Sequence, residues 1–400
     1  MHGRQTVHRQ VLICLVLAWL ATAGTSVAAG QDEVRERLAR PIHSLLLEKE
    51  SPVLGIRWSG ELFVDAPIGS EPPDAAVTLR RAKLRFHRSL NQNWQVKLTA
   101  DYTKGGQLEL SDSYFLYAGW KTALLKLGIT SPAFSLESVS DASSLTFMET
   151  ALPVEALAEP KGAGVMFLKR TASSILNTSL LLFNPRQDNL TTSGQALVLR
   201  YVHAPLTIRG KDNVHLGASL SWRINADGSD TRFRSRPEIA TANTFFVDTG
   251  AIEGASEVMR AGLEASRVSG RFSWQSELLS TRVRRDAGDA VHFWGAYLYA
   301  SWFLTGDSRN YDLGQGQYVP VQVAAPVRAG GWGAFEVAAR ASYVDLQDSD
   351  VNGGRESNLS LGLNWYLNDR LRLMGNVVKV LDVARPGSEF DGSDPLILAV

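Results

Sequence analysis

From residue 53 onward, apolar and polar side chains alternate along the chain with a period of two residues. In residues 94–102 the even positions are apolar and the odd positions are polar, and residues 214–223 repeat this arrangement with polar or small odd positions. Successive side chains on a β-strand point to opposite faces, so each such segment has one apolar and one polar side. The pattern predicts a protein built of β-strands.

Sixteen segments follow this pattern, and the connections between them mostly alternate between long and short. The predicted strands span residues 54–65, 77–88, 94–102, 108–119, 123–129, 162–170, 173–183, 195–203, 213–223, 258–267, 271–284, 291–304, 333–343, 356–367, 370–380 and 394–400. The long connections are residues 66–76, 130–161, 184–194, 224–257, 344–355 and 381–393. Residues 305–332 break the alternation, because they form a long connection where a short periplasmic turn is expected.

Three features favour a membrane barrel over a soluble sandwich of two sheets, which alternation alone also allows. Many segments are about ten residues long, the length that a tilted strand needs to cross a bilayer. Aromatic residues gather near segment ends, as at Trp58, Trp120 and Trp302, where membrane interfaces favour them. The opposite faces carry Arg, Lys, Glu, Asn and Gly, which suit a water-filled interior. Residues 53–400 are therefore predicted to form an all-β, transmembrane antiparallel β-barrel of about sixteen strands.

The first 29 residues have the features of a secretory signal peptide. Two arginines precede an apolar run over residues 11–20, which is too short for a permanent transmembrane anchor, and small residues follow. We assign residues 1–29 to this signal peptide and expect cleavage after Ala28 or Ala29. The mature protein is then expected in the outer membrane of a Gram-negative bacterium. Residues 30–52 are predicted to form a short, charged periplasmic extension.

Composition excludes several other classes of protein. The 41 basic residues are balanced by 41 acidic ones, which excludes a strongly basic nucleic-acid-binding protein. The single cysteine lies within the predicted signal peptide, so the exported chain is not a small scaffold held by disulfides. A closed, hydrogen-bonded sheet or an apolar core must stabilise it instead.

Sequence motifs of enzymes and metal proteins are missing. The histidines show no His-x-x-x-His spacing, and neither a Gly-x-Ser-x-Gly elbow nor a phosphate-binding glycine loop appears. We therefore predict no catalytic residue, no metal and no cofactor. The alternative is a serine–histidine pair that forms on folding, and the histidines within strands that would act as its base are His203 and His292.

A row of basic side chains on one strand is the first candidate for chemistry. Arg81, Lys83 and Arg85 share one face of segment 77–88, and successive members lie about 6.6–6.8 Å apart along the strand. Lys97 and Arg340 occupy the polar faces of other segments. In a water-filled barrel such a row lowers the barrier to anions and offers successive weak sites. The alternative is a solvated face balanced by acidic residues across the lumen.

The 32-residue connection 130–161 is the candidate constriction, since connections of this length without regular structure are uncommon and usually functional. Folded inward, it would present polar side chains to the lumen and pack apolar ones on the wall. The residues assigned to the constriction loop are Ser143, Ser144, Leu145, Thr146 and Glu149. The alternative is a loop that lies outside, over the mouth of the barrel.

Arg232, Arg234 and Arg236 cluster in connection 224–257. Arginine presents a fixed fork of donors to oxyanions, so these residues are predicted to line a vestibule that collects anions. Binding to lipopolysaccharide phosphates and simple solvation are the alternatives.

Eight short motifs of the chain form a characteristic set: Arg80–Leu84, Leu110–Tyr114, Leu127–Gly128, Pro132–Glu137, Ser143–Glu149, Phe303–Asp307, Tyr343–Leu346 and Gly362–Asn368. Through these motifs the chain resembles the phosphate-selective porin O/P family over most of residues 55–380. The resemblance implies a sixteen-stranded, trimeric outer-membrane channel that conducts anions. In phosphate-specific members a basic residue follows the Ser-Ser pair of the third long loop, whereas Leu145 stands here. The cluster of periplasmic lysines found in phosphate-specific members is also missing here, because the only basic residues in 305–332 are Arg309 and Arg328.

The sequence thus predicts an outer-membrane porin for passive diffusion of small inorganic anions, either phosphate-type or general. Its predicted partners are these anions, outer-membrane lipid and lipopolysaccharide, and two further copies in a homotrimer. An outer-membrane barrel enzyme, such as a hydrolase, and a structural or adhesion barrel are the alternative functions.

Overall fold

The computed structural model describes residues 49–51, 56–65, 78–103, 108–183, 194–205, 207–208, 212–226, 229–239 and 244–399. The predicted signal peptide, residues 1–29, and all of the predicted extension 30–52 except residues 49–51 lie outside these ranges. Within them, nineteen strands form one sheet, and two small hairpins stand apart from it.

The strands are numbered in chain order. They are β1 (Lys49–Ser51), β2 (Ile56–Asp65), β3 (Thr78–Ser89), β4 (Trp94–Thr103), β5 (Leu108–Leu110), β6 (Ser113–Tyr117), β7 (Ala123–Thr130), β8 (Gly162–Arg170), β9 (Ser174–Phe183), β10 (Gln195–His203), β11 (Thr207–Ile208), β12 (Asp212–Ile224), β13 (Arg234–Ser235), β14 (Val247–Asp248), β15 (Ala255–Ser269), β16 (Phe272–Arg285), β17 (Val291–Phe303), β18 (Asn310–Asp312), β19 (Gln317–Val319), β20 (Ala334–Asp348), β21 (Val351–Asn368), β22 (Leu371–Ala384) and β23 (Leu396–Ala399). The helices are α1 (Leu136–Val139), α2 (Leu152–Leu157) and the 3-10 turns Ala142–Ser144 and Val327–Ala329.

Each of the sixteen predicted segments contains a strand of the large sheet, with β5 and β6 together filling the fourth segment. All pairings in this sheet are antiparallel, from the β1–β2 pair to the β22–β23 pair, and most of them join strands that follow one another in the chain. The hairpins β13–β14 and β18–β19 lie within two of the predicted long connections. The predicted all-β, antiparallel fold of about sixteen strands is confirmed.

One predicted loop is wrong. Residues 344–355 were expected to form a long connection, but β20 continues to Asp348 and β21 begins at Val351, so only two residues form the turn. Ser349 there adopts the left-handed backbone conformation, with φ of 54°, as two-residue hairpin turns require. Ladder hydrogen bonds do not need apolar side chains, so the strands extend through polar residues that resemble a loop in sequence.

The two faces of the sheet differ as the alternation predicts. Leucines at the apolar positions are exposed on the outer face, and the polar positions beside them are buried on the inner face. Aromatic pairs lie near strand ends: the ring centroids of Trp94 and Tyr117 are 5.0 Å apart, and those of Trp294 and Tyr343 are 5.1 Å apart. None of the helices in the described ranges is long and apolar enough to cross a membrane.

We expect Leu84→Arg to impair assembly of the barrel, because the Leu84 side chain is 40% exposed on the outer face of β3. An arginine on the lipid face costs about 2–4 kcal/mol at the middle of the bilayer. The yield of folded protein in outer-membrane fractions measures the effect. Lys83→Arg changes the adjacent, inward-facing position and is the matched control; equal yields of the two variants would contradict the assignment of faces.

Candidate functional site

The connection 130–161 folds into the barrel. Phe134, Leu136, Phe147 and Leu152 are each at most 1% exposed, although they lie in a connection between strands. The loop is thus covered on one side by the inner wall, as predicted for a constriction.

Helix α1 fixes the beginning of this loop to β16. The side chain of Ser135 caps the helix by accepting a hydrogen bond from the Ser138 N–H at 3.2 Å. The backbone N–H groups of Leu136 and Glu137 donate to the two carboxylate oxygens of Glu277, at 3.0 and 2.8 Å. A carboxylate at this end of a helical turn satisfies N–H groups that have no partner within the helix.

The end of the loop is fixed by Glu159. Its carboxylate accepts hydrogen bonds from Arg223 on β12, from Arg260 on β15 at 2.5 Å and from the Ser221 hydroxyl at 2.6 Å. Glu159 and both arginines are almost completely buried. Two guanidinium groups that share one buried carboxylate make this attachment depend on charge, because removing any partner leaves a buried charge.

Side chains of the wall and of the connection between β17 and β20 also bind the backbone in the middle of the loop. The guanidinium of Arg372 donates to the carbonyl of Leu145 at 2.7 Å, that of Arg309 to Ser144 at 3.4 Å, and the Asn364 amide to Thr146 at 2.8 Å. The predicted constriction residues therefore divide into two groups. Ser144, Leu145 and Thr146 are buried, whereas Ser143 and Glu149 are partly exposed.

The described residues of a second connection, 225–226, 229–239 and 244–254, fold inward beside the first connection, and Arg340 on β20 joins the two. Arg340 contacts Glu238 of the second connection at 2.9 Å, and it donates to the Glu149 carbonyl of the first at 3.0 Å. Its guanidinium also lies 4.3 Å from the ring centroid of Phe147. Arg340 was expected to line the pore; it lies on the inner face, but it is 1% exposed and covered by both connections.

The three vestibule arginines take part in contacts within the second connection and with the first. Arg232 forms an ion pair with Asp248, and Arg236 forms one with Glu155 of α2 at 2.9 Å. The guanidinium of Arg234 lies 4.1 Å from the ring centroid of Phe245. All three remain partly exposed, and the structure shows in addition that they help to hold the connection in place.

The connection that breaks the alternation of long and short connections also enters the barrel. It was predicted as residues 305–332, and it spans residues 304–333 between β17 and β20. Its hairpin β18–β19 places Tyr311 and Tyr318 in a buried apolar cluster with Leu136 of α1. The Tyr311 hydroxyl lies 2.5 Å from Nδ1 of His215, and the Tyr318 hydroxyl donates to Ser266 at 2.8 Å. Its unusual length is thus explained, because it supports the constriction loop from the opposite end of the barrel.

The basic row on β3 faces inward, but its members differ in their partners. Arg81 forms an ion pair with Asp101 of β4. Arg85 forms one with Glu61 of β2 at 2.8 Å, and its guanidinium lies 3.6 Å from Asp141 of the constriction loop. Lys83, between the two arginines, has no carboxylate oxygen within 4.0 Å among the residues that the structure describes.

Two further lysines lie on the inner face, on either side of the Tyr114 ring. Nζ of Lys97 on β4 lies 5.6 Å from the ring centroid, and Nζ of Lys126 on β7 lies 4.9 Å from it. In the described part of the chain, no carboxylate lies within ion-pair distance of either. Lys83, Lys97 and Lys126, which lie on β3, β4 and β7, are called the lysine stripe below.

Sequence reasoning missed Lys126 and Lys161. Lys126 occupies a polar position of the alternating segment 123–129, which was the available signal. Lys161 ends the constriction loop, and its ammonium group donates to Ser111 at 2.8 Å and to Asp112 at 3.2 Å. No spacing in the sequence indicates the contacts of Lys161, because they join the end of the constriction loop to the two residues between β5 and β6.

Folding pairs both candidate histidines with serines. Nδ1 of His203 lies 3.0 Å from the Ser174 hydroxyl, and Nε2 of His292 lies 2.8 Å from the Ser280 hydroxyl. Both pairs lie on the outer face at strand ends, and in the described ranges no carboxylate hydrogen-bonds to the second nitrogen of either ring. A triad needs such a carboxylate to orient the imidazole, so neither pair is part of a complete triad in the described ranges.

Comparison with known proteins agrees with this architecture. Residues 55–384 match the family model of phosphate-selective porins O and P. Porin O of Pseudomonas aeruginosa is 24% identical over 344 residues, covering 76% of each chain. An uncharacterized protein of Caulobacter vibrioides is 30% identical over 326 residues, which cover 77% of this chain but only 64% of that protein's length.

Among solved structures, OmpT of Vibrio cholerae superposes with a TM-score of 0.53 and 10% identity, covering 88% of this chain and 99% of that one. OmpF of Salmonella typhi, in a complex with daunomycin, gives a TM-score of 0.54 at 10% identity, covering 88% and 98%. These structures show the shared barrel fold. By its match to the family model, the chain belongs to the phosphate-selective porin O and P family of outer-membrane porins, which are channels and not enzymes.

Proposed function

We propose that this porin lets small inorganic anions diffuse passively through its barrel. The observation that supports the proposal best is the lysine stripe. Three cations lie on one side of the inner wall, of which Lys83 is buried and Lys97 and Lys126 are partly exposed. The cross-strand neighbours of Lys83, Glu61 and Asp101, are already paired with Arg85 and Arg81. The net field at the stripe is therefore positive, and a low-dielectric wall concentrates such a field on ions that pass.

Weak anion sites of this kind are suited to conduction and not to tight binding of the ion. An ion must bind favourably enough to enter but weakly enough to leave. Lysine is a compact point charge on a flexible stem, and the stripe spreads its three ammonium groups over β3, β4 and β7. We infer that anions pass from one to the next without a tight, multidentate complex.

The constriction loop supports a general anion channel over a phosphate-specific one. The Leu145 side chain has no hydrogen-bond donor, and it is only 8% exposed. The guanidinium groups nearest to this segment, those of Arg309 and Arg372, donate to the carbonyls of Ser144 and Leu145. A phosphate site needs several charge-assisted donors that converge on one oxyanion, and here donors are committed to the backbone.

Planar-bilayer recording of the purified protein tests the proposal. A potassium chloride gradient should give a reversal potential of the sign that indicates chloride preference, and added phosphate should block the chloride current only weakly. Cation preference would contradict the anion channel. Potent block by phosphate would contradict only the general-anion reading and favour a phosphate-specific site.

We also propose a homotrimer, which the family resemblance implies. The expected result is a heat-sensitive band of three times the monomer mass on an unboiled denaturing gel. Native mass spectrometry of the detergent-solubilised protein provides an independent measurement, and a monomer by both methods would contradict the proposal.

Anion preference should increase as pH falls from 8 to 6, because of Glu155. Burial raises the pKa of this carboxyl to about 7, although the Arg236 guanidinium opposes the shift. Above pH 7 the ionised Glu155 neutralises Arg236, whereas below pH 7 the protonated carboxyl leaves the arginine with its positive charge. Reversal potentials at the two pH values measure the change. Glu155→Gln should reduce the pH dependence, and an undiminished shift in this variant would assign it to other groups.

A further inference from the structure

The outer face of β16 and β17 carries a basic patch at its extracellular end. Arg282, Arg284 and His292 are exposed there and alternate with buried residues, so they point away from the lumen. Arg282 and His292 are direct neighbours across the β16–β17 ladder. The Ser280 hydroxyl lies on the same face, 2.8 Å from Nε2 of His292. These four residues are called the outer rim patch.

The depth of the patch follows from strand geometry. At the other end of β16, the rings of Phe272 and Trp302 are 6.0 Å apart and mark the periplasmic boundary of the apolar surface. Ten residues of strand separate Phe272 from Arg282 and span about 33–34 Å; a tilt of 35–45° reduces this to a height of about 24–28 Å. The apolar band of such barrels is about 25 Å tall, so Arg282 lies at the outer boundary of the membrane.

Aromatic packing supports this position independently. Trp294 follows His292 on the same face of β17, one step nearer to the middle of the membrane, and packs on Tyr343 of β20. Aromatic girdles occupy the level of lipid headgroups. The outer rim patch therefore lies immediately outside the girdle, at the height of the headgroup phosphates.

The charges of the patch remain available to a ligand. Among the residues that the structure describes, Arg282 has no carboxylate oxygen within 4.0 Å. Arg284 forms an ion pair of 3.3 Å with Glu257, but its side chain is still 67% exposed. The carboxylate of Asp348 accepts a hydrogen bond from the backbone N–H of His292 at 2.7 Å. Two guanidinium groups, an imidazole and a hydroxyl thus face the lipid.

We propose that the outer rim patch binds the phosphate groups of lipopolysaccharide in the outer leaflet. Arginine forks match phosphate oxygens in a bidentate manner. Because the patch faces away from the passage, ions in the lumen do not reach it. The proposal rests on membership of an outer-membrane family and is independent of which solute the channel conducts.

The test measures binding of purified lipid A by native mass spectrometry of the detergent-solubilised protein. Arg282→Gln together with Arg284→Gln should weaken binding of bisphosphorylated lipid A about 30-fold, since each basic residue near an anionic surface contributes a factor of about five. Dephosphorylated lipid A should bind equally weakly to the wild type and the variant. Inorganic phosphate at millimolar concentration should not displace the lipid.

The matched control is Arg267→Gln with Arg271→Gln, which removes two exposed arginines at the periplasmic rim of the same β15–β16 hairpin. This variant should bind lipid A as the wild type does. Equal losses of lipid A binding in the two double variants would overturn the proposal. It would also be overturned if the wild type bound dephosphorylated lipid A as tightly as bisphosphorylated lipid A. Unchanged ion selectivity and heat-modified gel mobility of both variants establish that the barrel is intact.

Discussion

Replacing Lys97 and Lys126 by glutamate is expected to reverse the sign of the reversal potential, so that the anion channel becomes cation-selective. The two ammonium groups flank Tyr114 on the inner wall. Charge reversal at both changes the local charge by four units where the wall focuses the field, and lumen-facing substitutions alter selectivity without disturbing assembly. The measurement is the bilayer reversal potential in a salt gradient.

The control is Lys169→Glu with Arg267→Glu, which makes the same charge change on the outer face near the periplasmic ends of β8 and β15. It should leave selectivity as in the wild type. A double variant of the stripe that keeps its chloride preference would refute the role of these lysines. Arg85 is avoided because its guanidinium lies 2.8 Å from Glu61, and a glutamate there would place buried carboxylates together.

Arg340→Ala is expected to have the largest effect on stability and on the width of the passage. The substitution removes the charge that Glu238 and Glu137 share inside the barrel, at 2.9 and 3.4 Å. Breaking a buried ion pair by removing one partner costs about 3–5 kcal/mol. Both inward connections lose an attachment to β20, so we expect a larger and noisier single-channel conductance and a lower unfolding temperature.

Arg328→Ala is the matched control, because Arg328 is exposed in the periplasmic connection and its removal should change neither property. Conductance and heat-modified gel mobility measure the two effects. Wild-type conductance in Arg340→Ala would show that the connections stay in place without this residue.

The alternation of side chains was sufficient to place the strands, because a barrel in a membrane imposes the same two-residue period on every one of them. In β12, for example, the exposed leucines Leu216 and Leu220 and the buried Ser219 lie where the pattern predicts. Strand ends were harder, since beyond the membrane neither face must be apolar. Strands β20 and β21 are an example, because both continue through polar residues that were predicted to form a connection.

The interior could not be predicted in the same way. A polar position on a strand has the same sequence pattern whether it faces water or a folded connection. Arg340 illustrates the difference, because its place on the inner face followed from alternation, but its burial depends on Glu238 and Phe147 from distant connections. The lysine stripe is recognisable only when ion-pair distances identify which cations have no carboxylate oxygen within 4.0 Å among the described residues.

The attachments of the constriction loop also determine when the passage is formed during folding. Its hydrogen bonds from Arg340 to Glu149, Asn364 to Thr146 and Arg372 to Leu145 span 191, 218 and 227 residues of chain. Contacts of such sequence separation carry a large loop-closure entropy and form late, whereas hairpins of neighbouring strands form early. The sheet can therefore grow hairpin by hairpin with a wide lumen, and the bore is set only when the C-terminal hairpins join it.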